Sequence, residues 1–212
     1  MSAIREGRQL FSNLRLSFEY LLLFHIPFVL SAALIPLLGY PLLYLPAHVV
    51  WLELIIHPTA LFAFQQVATS ENDGAPERRV SFFDRKDALL VLFVGLAVTV
   101  ALIVSFVTGF AESADVDHGR AKVMALLPLW SAGLVALLTK AGSRTANIIA
   151  AVSLLMSILV IQTPWLAEPL HLAPLHGPDW LKVCGTVAAA LALLFILRKR
   201  ERRGPERDSL RG

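Results

Sequence analysis

The sequence predicts an all-α, polytopic membrane protein with six transmembrane helices and both termini in the cytoplasm. Three observations lead there. Of 212 residues, 56% are hydrophobic and only 17% charged, with a mean hydropathy of +0.65. Soluble domains carry about 25% charged residues, so an ordinary cytosolic enzyme and a disordered chain are both excluded. The apolar residues fall into six long stretches without the period-2 alternation of a membrane barrel. Between those stretches, Lys and Arg are unevenly distributed.

Taken in order, the spans are 16–38, 43–64, 88–110, 123–139, 146–161 and 180–197. Crossing the hydrocarbon takes ~20 helical residues, with a range of ~17–25. The third and sixth stretches are the cleanest. The fourth, interrupted by Pro128, and the fifth are short. The first follows Arg5, Arg8 and Arg15 but outruns the ~7–15-residue core of a signal peptide, so it reads as a retained span.

With the N-terminus inside, the cytoplasmic segments hold all but Arg120, Lys122 and Lys182 of the 19 Lys and Arg. Reversing the chain would reverse that ratio, and the positive-inside rule decides for both termini inside. The chain then divides into a cytoplasmic extension, 1–15, and a first helical hairpin, 16–64. A cytoplasmic loop, 65–87, follows, then a four-helix scaffold region, 88–197, and a basic tail, 198–212, expected to be disordered. Residues 168–179, with His171 and His176, form an external loop. The pI near 9.3 reflects these topological clusters rather than a nucleic-acid face. The single cysteine, Cys184, allows no internal disulfide and reads as inert helix packing. No internal repeat is visible, nor any CxxC, GxSxG, Walker A or GxGxxG stretch.

Ionisable residues inside spans are costly, at least ~2.5–3.5 kcal/mol when charged at the centre. Four stand out, all in the first two spans: Glu19, His25, Glu53 and His57. Glu19 follows Arg15 by four residues, which fits an interfacial ion pair. His25 precedes Pro27, whose missing N–H frees the carbonyl of Leu23. That histidine could line an ion path or bond to a neighbouring helix. Glu53 and His57, four apart, share one helix face, and Pro58 frees the carbonyl of Leu54. Thr59 adds a hydroxyl. Broken helices with free carbonyls at mid-membrane coordinate ions in transporters. The alternative is a self-neutralising Glu53–His57 pair within the bundle.

These residues lie in a recognisable frame. The run from Glu6 to Arg15, EGRQLFSNLR, is similar to the lead-in to the fifth membrane helix of the cation-transporting P-type ATPases. The run from Leu42 to Leu54, LLYLPAHVVWLEL, resembles that family's short external turn and sixth helix. Pro164-Trp165-Leu166, Leu172-Ala173-Pro174-Leu175 and Asp179-Trp180 resemble the connection between the ninth and tenth. The chain thus resembles the C-terminal membrane half, helices five to ten, over about residues 4–197.

The resemblance implies ion transport and a set of site residues. In the calcium and sodium-potassium pumps the fifth helix offers an amide and, three residues on, a carboxylate; His25 and Phe28 hold those places here. The sixth helix offers an asparagine and, four on, an aspartate; Glu53 and His57 hold those. Calcium takes six to eight oxygens, whereas imidazole suits a transition metal or a proton relay. The sequence leaves both open, so the metal is unknown. The expected site is therefore His25, Glu53 and His57, with the Pro27 and Pro58 breaks and minor parts for Thr59 and Glu19.

The family's phosphorylation loop and nucleotide domain have no counterpart in these residues. Alone the chain is expected to hydrolyse no ATP, and ATP and Mg²⁺ are expected only with the missing domains. Its expected partners are membrane lipid, a transported cation or proton, and the N-terminal half of the pump in the same gene or a separate chain, with no nucleic acid. The expected location is the plasma or inner membrane. The alternatives are a non-enzymatic six-span scaffold or orphan subunit derived from that fold and, more remotely, an ion-coupled secondary transporter.

Overall fold

A computed structural model describes residues 2–64, 84–140 and 142–208. Among the described residues seven α-helices form: α1 (Ser2–Leu37), α2 (Pro46–Ala63), α3 (Arg85–Ser113), α4 (Val116–Leu138), α5 (Arg144–Gln162), the short α6 (Pro164–Ala167) and α7 (Gly177–Asp208). A 3₁₀ turn, Glu168–Leu170, follows α6, and no strand occurs among the described residues. Six of the helices are long and apolar enough to cross a membrane, as the sequence predicts.

The helix starts are written in the sequence. Asp84 caps α3, accepting from the Arg85 N–H at 2.7 Å, while Asp87 reaches back to the Asp84 N–H at 3.1 Å. Ser143 caps α5 through the Ala146 N–H at 3.2 Å. Asp115 caps α4 through the Asp117 N–H at 2.9 Å. Pro46 opens α2, and His48 Nδ1 accepts from the Leu45 N–H at 3.2 Å. That bond leaves Nε2–H of the fully buried His48 to donate to the Leu170 carbonyl, tying α2 to the 3₁₀ turn.

Helix α4 is the axis of the bundle and the most deeply buried of the six long helices, whereas α7 is the least. It packs against α1, α2, α3, α5 and α7, and α1 lies along α3. Close approach of α3 and α4 depends on two glycines. A Cβ on Gly109 would meet the Gly119 Cα at 2.9 Å, and one on Gly119 would meet the Phe106 carbonyl oxygen at 2.9 Å. Polar links inside the apolar core are satisfied within the chain. Tyr20 and Ser131 hydroxyls meet at 2.6 Å, and Ser31 and Tyr44 at 3.0 Å.

Four expectations change. The fourth span begins at Val116, not at 123, because its first turns carry Asp117, His118, Arg120 and Lys122. Hydropathy reads those residues as loop, whereas ion pairs hold them in the helix. The tail is not disordered from its start, since α7 continues without a break through Asp208. Its Arg, Lys and Glu residues are good helix formers, and the span nucleates them. Cys184 lies in an apolar helix but on its exposed side, so it does not pack the core. The external loop 168–179 is partly ordered structure: the 3₁₀ turn opens it and α7 starts at Gly177. Of the loop 65–87, residues 65–83, with Arg78 and Arg79, lie outside the described residues, as do 209–212 of the tail.

Ion pairs set the two ends of the bundle. Arg15 Nη2 meets Asp87 Oδ2 at 2.6 Å, and Arg198 pairs with Glu19. The early part of α1, the start of α3 and the late part of α7 therefore share one end. At the opposite end, Arg120 donates to the Leu42 carbonyl at 3.2 and 3.0 Å and pairs with Asp117 at 2.9 Å.

Candidate ion site

Helices α1 and α2 bring His25, Glu53 and His57 to one place. Glu53 Oε1 lies 3.5 Å from His25 Nε2, and Oε2 lies 2.8 Å from His57 Nδ1. The two imidazoles stand 6.5 Å apart between ring centres, nearly perpendicular, with the carboxylate within reach of both. The His25 and Glu53 side chains are each about one-third exposed, at 33% and 31%, and His57 is 63% exposed. The trio therefore faces outward from the bundle on the α1–α2 side.

Both histidines use Nδ1 in the same way. His25 Nδ1 bonds the Leu21 carbonyl at 2.9 Å, and His57 Nδ1 bonds the Glu53 carbonyl at 3.2 Å, in each case four residues back. A carbonyl only accepts, so each Nδ1 carries the proton and each Nε2 is a bare lone pair in the neutral ring. The 2.8 Å approach of His57 Nδ1 to Oε2 is not a hydrogen bond, because its N–H is directed to the backbone. Glu53 Oε2 is accordingly a buried oxygen with no hydrogen-bond partner.

Other expected members are engaged elsewhere. The Leu23 carbonyl freed by Pro27 accepts from the buried Trp130 indole N–H at 3.1 Å, which removes it from an ion path. Thr59 is fully buried, and its hydroxyl donates to the Ile55 carbonyl at 2.7 Å. Glu19 does not pair with Arg15: Arg15 reaches Asp87 and Glu19 takes Arg198. Phe28 is buried against Tyr44, with ring centres 4.8 Å apart. Pro27 and Pro58 lie inside continuous helices, so neither splits its helix.

A second polar cluster escapes sequence reading. Lys122 Nζ, on a residue 2% exposed, lies 2.6 Å from Glu112 Oε2 and 3.1 Å from Asp179 Oδ1. His118 Nε2 is 3.5 Å from that same Oδ1, and Lys182 Nζ is 2.6 Å from Glu112 Oε1. Ligand atoms of Glu112, His118 and Asp179 fall within 4.8 Å of one another. The Lys122 ammonium already supplies the positive charge there. The only hint in the sequence is the density of charge around the α3–α4 turn, and the partner from α7 is 57 positions from Lys122.

Residues 41–200 match the family model for the cation transporting ATPase C-terminus. The chain belongs to this family. It is the C-terminal transmembrane region of a P-type cation ATPase, and thus an integral membrane protein. Among curated proteins, it is 26% identical over 207 residues to a calcium-transporting ATPase of Bacillus subtilis (strain 168). That match covers 91% of this chain but 23% of the relative, so the chain spans about a quarter of the relative's length. The family relationship covers α2 to α7, and the match to the relative extends over most of the chain, in line with the resemblance carried by the α1 and α2 motifs.

Proposed function

We propose that this region supplies His25, Glu53 and His57 to the cation pathway of a P-type pump. The phosphorylation and nucleotide domains, on the same or a separate chain, provide the energy, and ATP and Mg²⁺ act there. The observation that carries this reading is one deep carboxylate flanked by two imidazoles on adjacent spans. Charge inside a span is expensive unless paired or functional. The other intramembrane ions described above close their pairs within the bundle, whereas this trio leaves a carboxylate oxygen unbonded and faces outward.

The uneven Lys and Arg distribution supports both termini in the cytoplasm, and a plasma or inner membrane location goes with it. Lipid contacts the outer faces of the spans. The isolated chain has no ATPase activity in this reading.

The test is ion uptake into vesicles by the chain assembled with the phosphorylation and nucleotide domains. Glu53→Ala and Glu53→Gln are expected to abolish uptake and ion-stimulated ATP hydrolysis. Normally inserted Glu53→Ala protein with unchanged uptake would sink the proposal and favour a scaffold.

A further inference from the structure

We infer that the cation bound by His25, Glu53 and His57 is a divalent transition-metal ion of the zinc, cobalt or nickel kind, rather than calcium or magnesium. The inference rests on the reading of this trio as part of the cation pathway and names its cargo.

Three observations carry it. The first is the tautomer. Both imidazoles spend their Nδ1–H on a backbone carbonyl, at 2.9 Å for His25 and 3.2 Å for His57. That outer bond is what metal-ligating histidines characteristically make, and it presets Nε2 as the ligand. The second is the gap between acceptors. His25 Nε2 and Glu53 Oε1 face each other at 3.5 Å, one a lone pair and the other an anionic oxygen. Two ligands at ~2.0–2.1 Å in a tetrahedral shell stand ~3.3 Å apart, so this edge is close to the spacing that one such ion sets.

The third is the supply of oxygen. Calcium needs six to eight oxygens. Here Glu53 supplies two and the Leu54 carbonyl freed by Pro58 a third at most, while the Leu23 carbonyl is held by Trp130 and the Thr59 hydroxyl donates to Ile55. Phe28 fills the neighbouring turn of α1. Two imidazole nitrogens stand beside these few oxygens, and imidazole suits zinc, copper, iron and nickel.

The geometry also says what must move. With ring centres 6.5 Å apart and Nδ1 the His57 atom nearest the carboxylate, the His57 ring must turn and approach for its Nε2 to join His25 and Glu53 on one ion. His57, the more exposed of the two, has the room to do so. The Glu112–His118–Asp179 cluster is no competitor, because the Lys122 ammonium lies among its ligands.

The experiment uses the full chain in lipid nanodiscs, with Co²⁺ as a spectroscopic stand-in for Zn²⁺. One Co²⁺ per chain is expected, with the intense ligand-field absorption of a four- or five-coordinate site. Zn²⁺ is expected to displace it, and Ca²⁺ in hundredfold excess is not. Glu53→Gln, His25→Asn and His57→Asn should each weaken binding at least ~10-fold, while His118→Asn leaves it unchanged. His57→Asp, which trades nitrogen for oxygen, should narrow the preference for Zn²⁺ over Ca²⁺. Helicity and a single size-exclusion peak show that each variant folds.

Displacement of Co²⁺ by equimolar Ca²⁺ would overturn the inference. So would the absence of a saturable Co²⁺ site, or binding lost in His118→Asn and retained in Glu53→Gln. The uptake assay on the assembled pump separates the two levels. If Glu53→Gln stops uptake of Ca²⁺, the pathway reading stands and only the metal class fails. If Glu53→Gln leaves uptake intact, both fail.

Discussion

The Trp130–Leu23 hydrogen bond offers a direct test of how this bundle tolerates a proline inside a span. Pro27 has no N–H to give the Leu23 carbonyl, and in an apolar core that oxygen needs another donor. The Trp130 indole supplies it at 3.1 Å, and both residues are fully buried. Trp130→Phe keeps an aromatic ring and removes the donor. A buried carbonyl left without a partner costs ~1–3 kcal/mol, a roughly 5- to 150-fold loss in the folded-to-unfolded ratio. Part of any measured loss is packing, so the single variant does not isolate the bond. Pro27→Ala does, because it restores the N–H that α-helical geometry directs at Leu23. In that background Trp130→Phe should lose only the packing part, giving a coupling of ~1–2 kcal/mol. The four proteins of the cycle can be compared by unfolding in mixed micelles, with helicity as the signal. Equal losses in both backgrounds, within ~0.3–0.5 kcal/mol, would refute the assignment of Trp130 as the partner of the broken carbonyl.

Three further outcomes are expected from the same assay. Gly119→Ala places a Cβ 2.9 Å from the Phe106 carbonyl oxygen, and overpacking of this kind costs ~1–3 kcal/mol; Gly119→Leu should cost more. Arg198→Ala strands Glu19, 8% exposed, without its cation, and breaking a half-buried pair from one side costs up to ~3 kcal/mol. Adding Glu19→Gln to Arg198→Ala should recover most of that loss, whereas no recovery would show that the pair is not the cause. Lys122→Met leaves the buried Asp179 without its ammonium, while Glu112 keeps Lys182. Its stability should fall, and a second change, Asp179→Asn, should restore part of it.

Much of the fold was legible because bilayer length and apolar composition act locally. All six spans follow from runs that any hydropathy scan would find, and the caps at Asp84, Asp115 and Ser143 are single-residue signals. The start of α4 was not legible, since Lys122 is acceptable in a span only through Glu112 and Asp179, which lie on α3 and α7. The same limit applies to Glu19. Its i, i+4 neighbour Arg15 was the visible partner, while the actual one, Arg198, is 179 positions away. The candidate site was more readable. Glu53 and His57 are paired by helix periodicity, and the motif resemblance of α1 and α2 put His25 in the same set before any distance was known. What sequence could not supply was the competition for oxygens: Trp130 and Ile55 take up groups that the Pro27 break and Thr59 had offered.

The intramembrane polar groups sort into two kinds. Lys122, Arg198, Glu19, Ser31 and Trp130 satisfy one another or the backbone inside the bundle, so they hold helices in register whatever else is bound. Glu53, His25 and His57 do not reach that state: two imidazole nitrogens stay bare in the neutral rings, and a buried carboxylate oxygen has no hydrogen-bond partner. Left charged in apolar surroundings, such a carboxylate costs at least ~2.5–3.5 kcal/mol. Anything that neutralises it, whether an ion or a covering helix that brings further ligands, recovers that free energy.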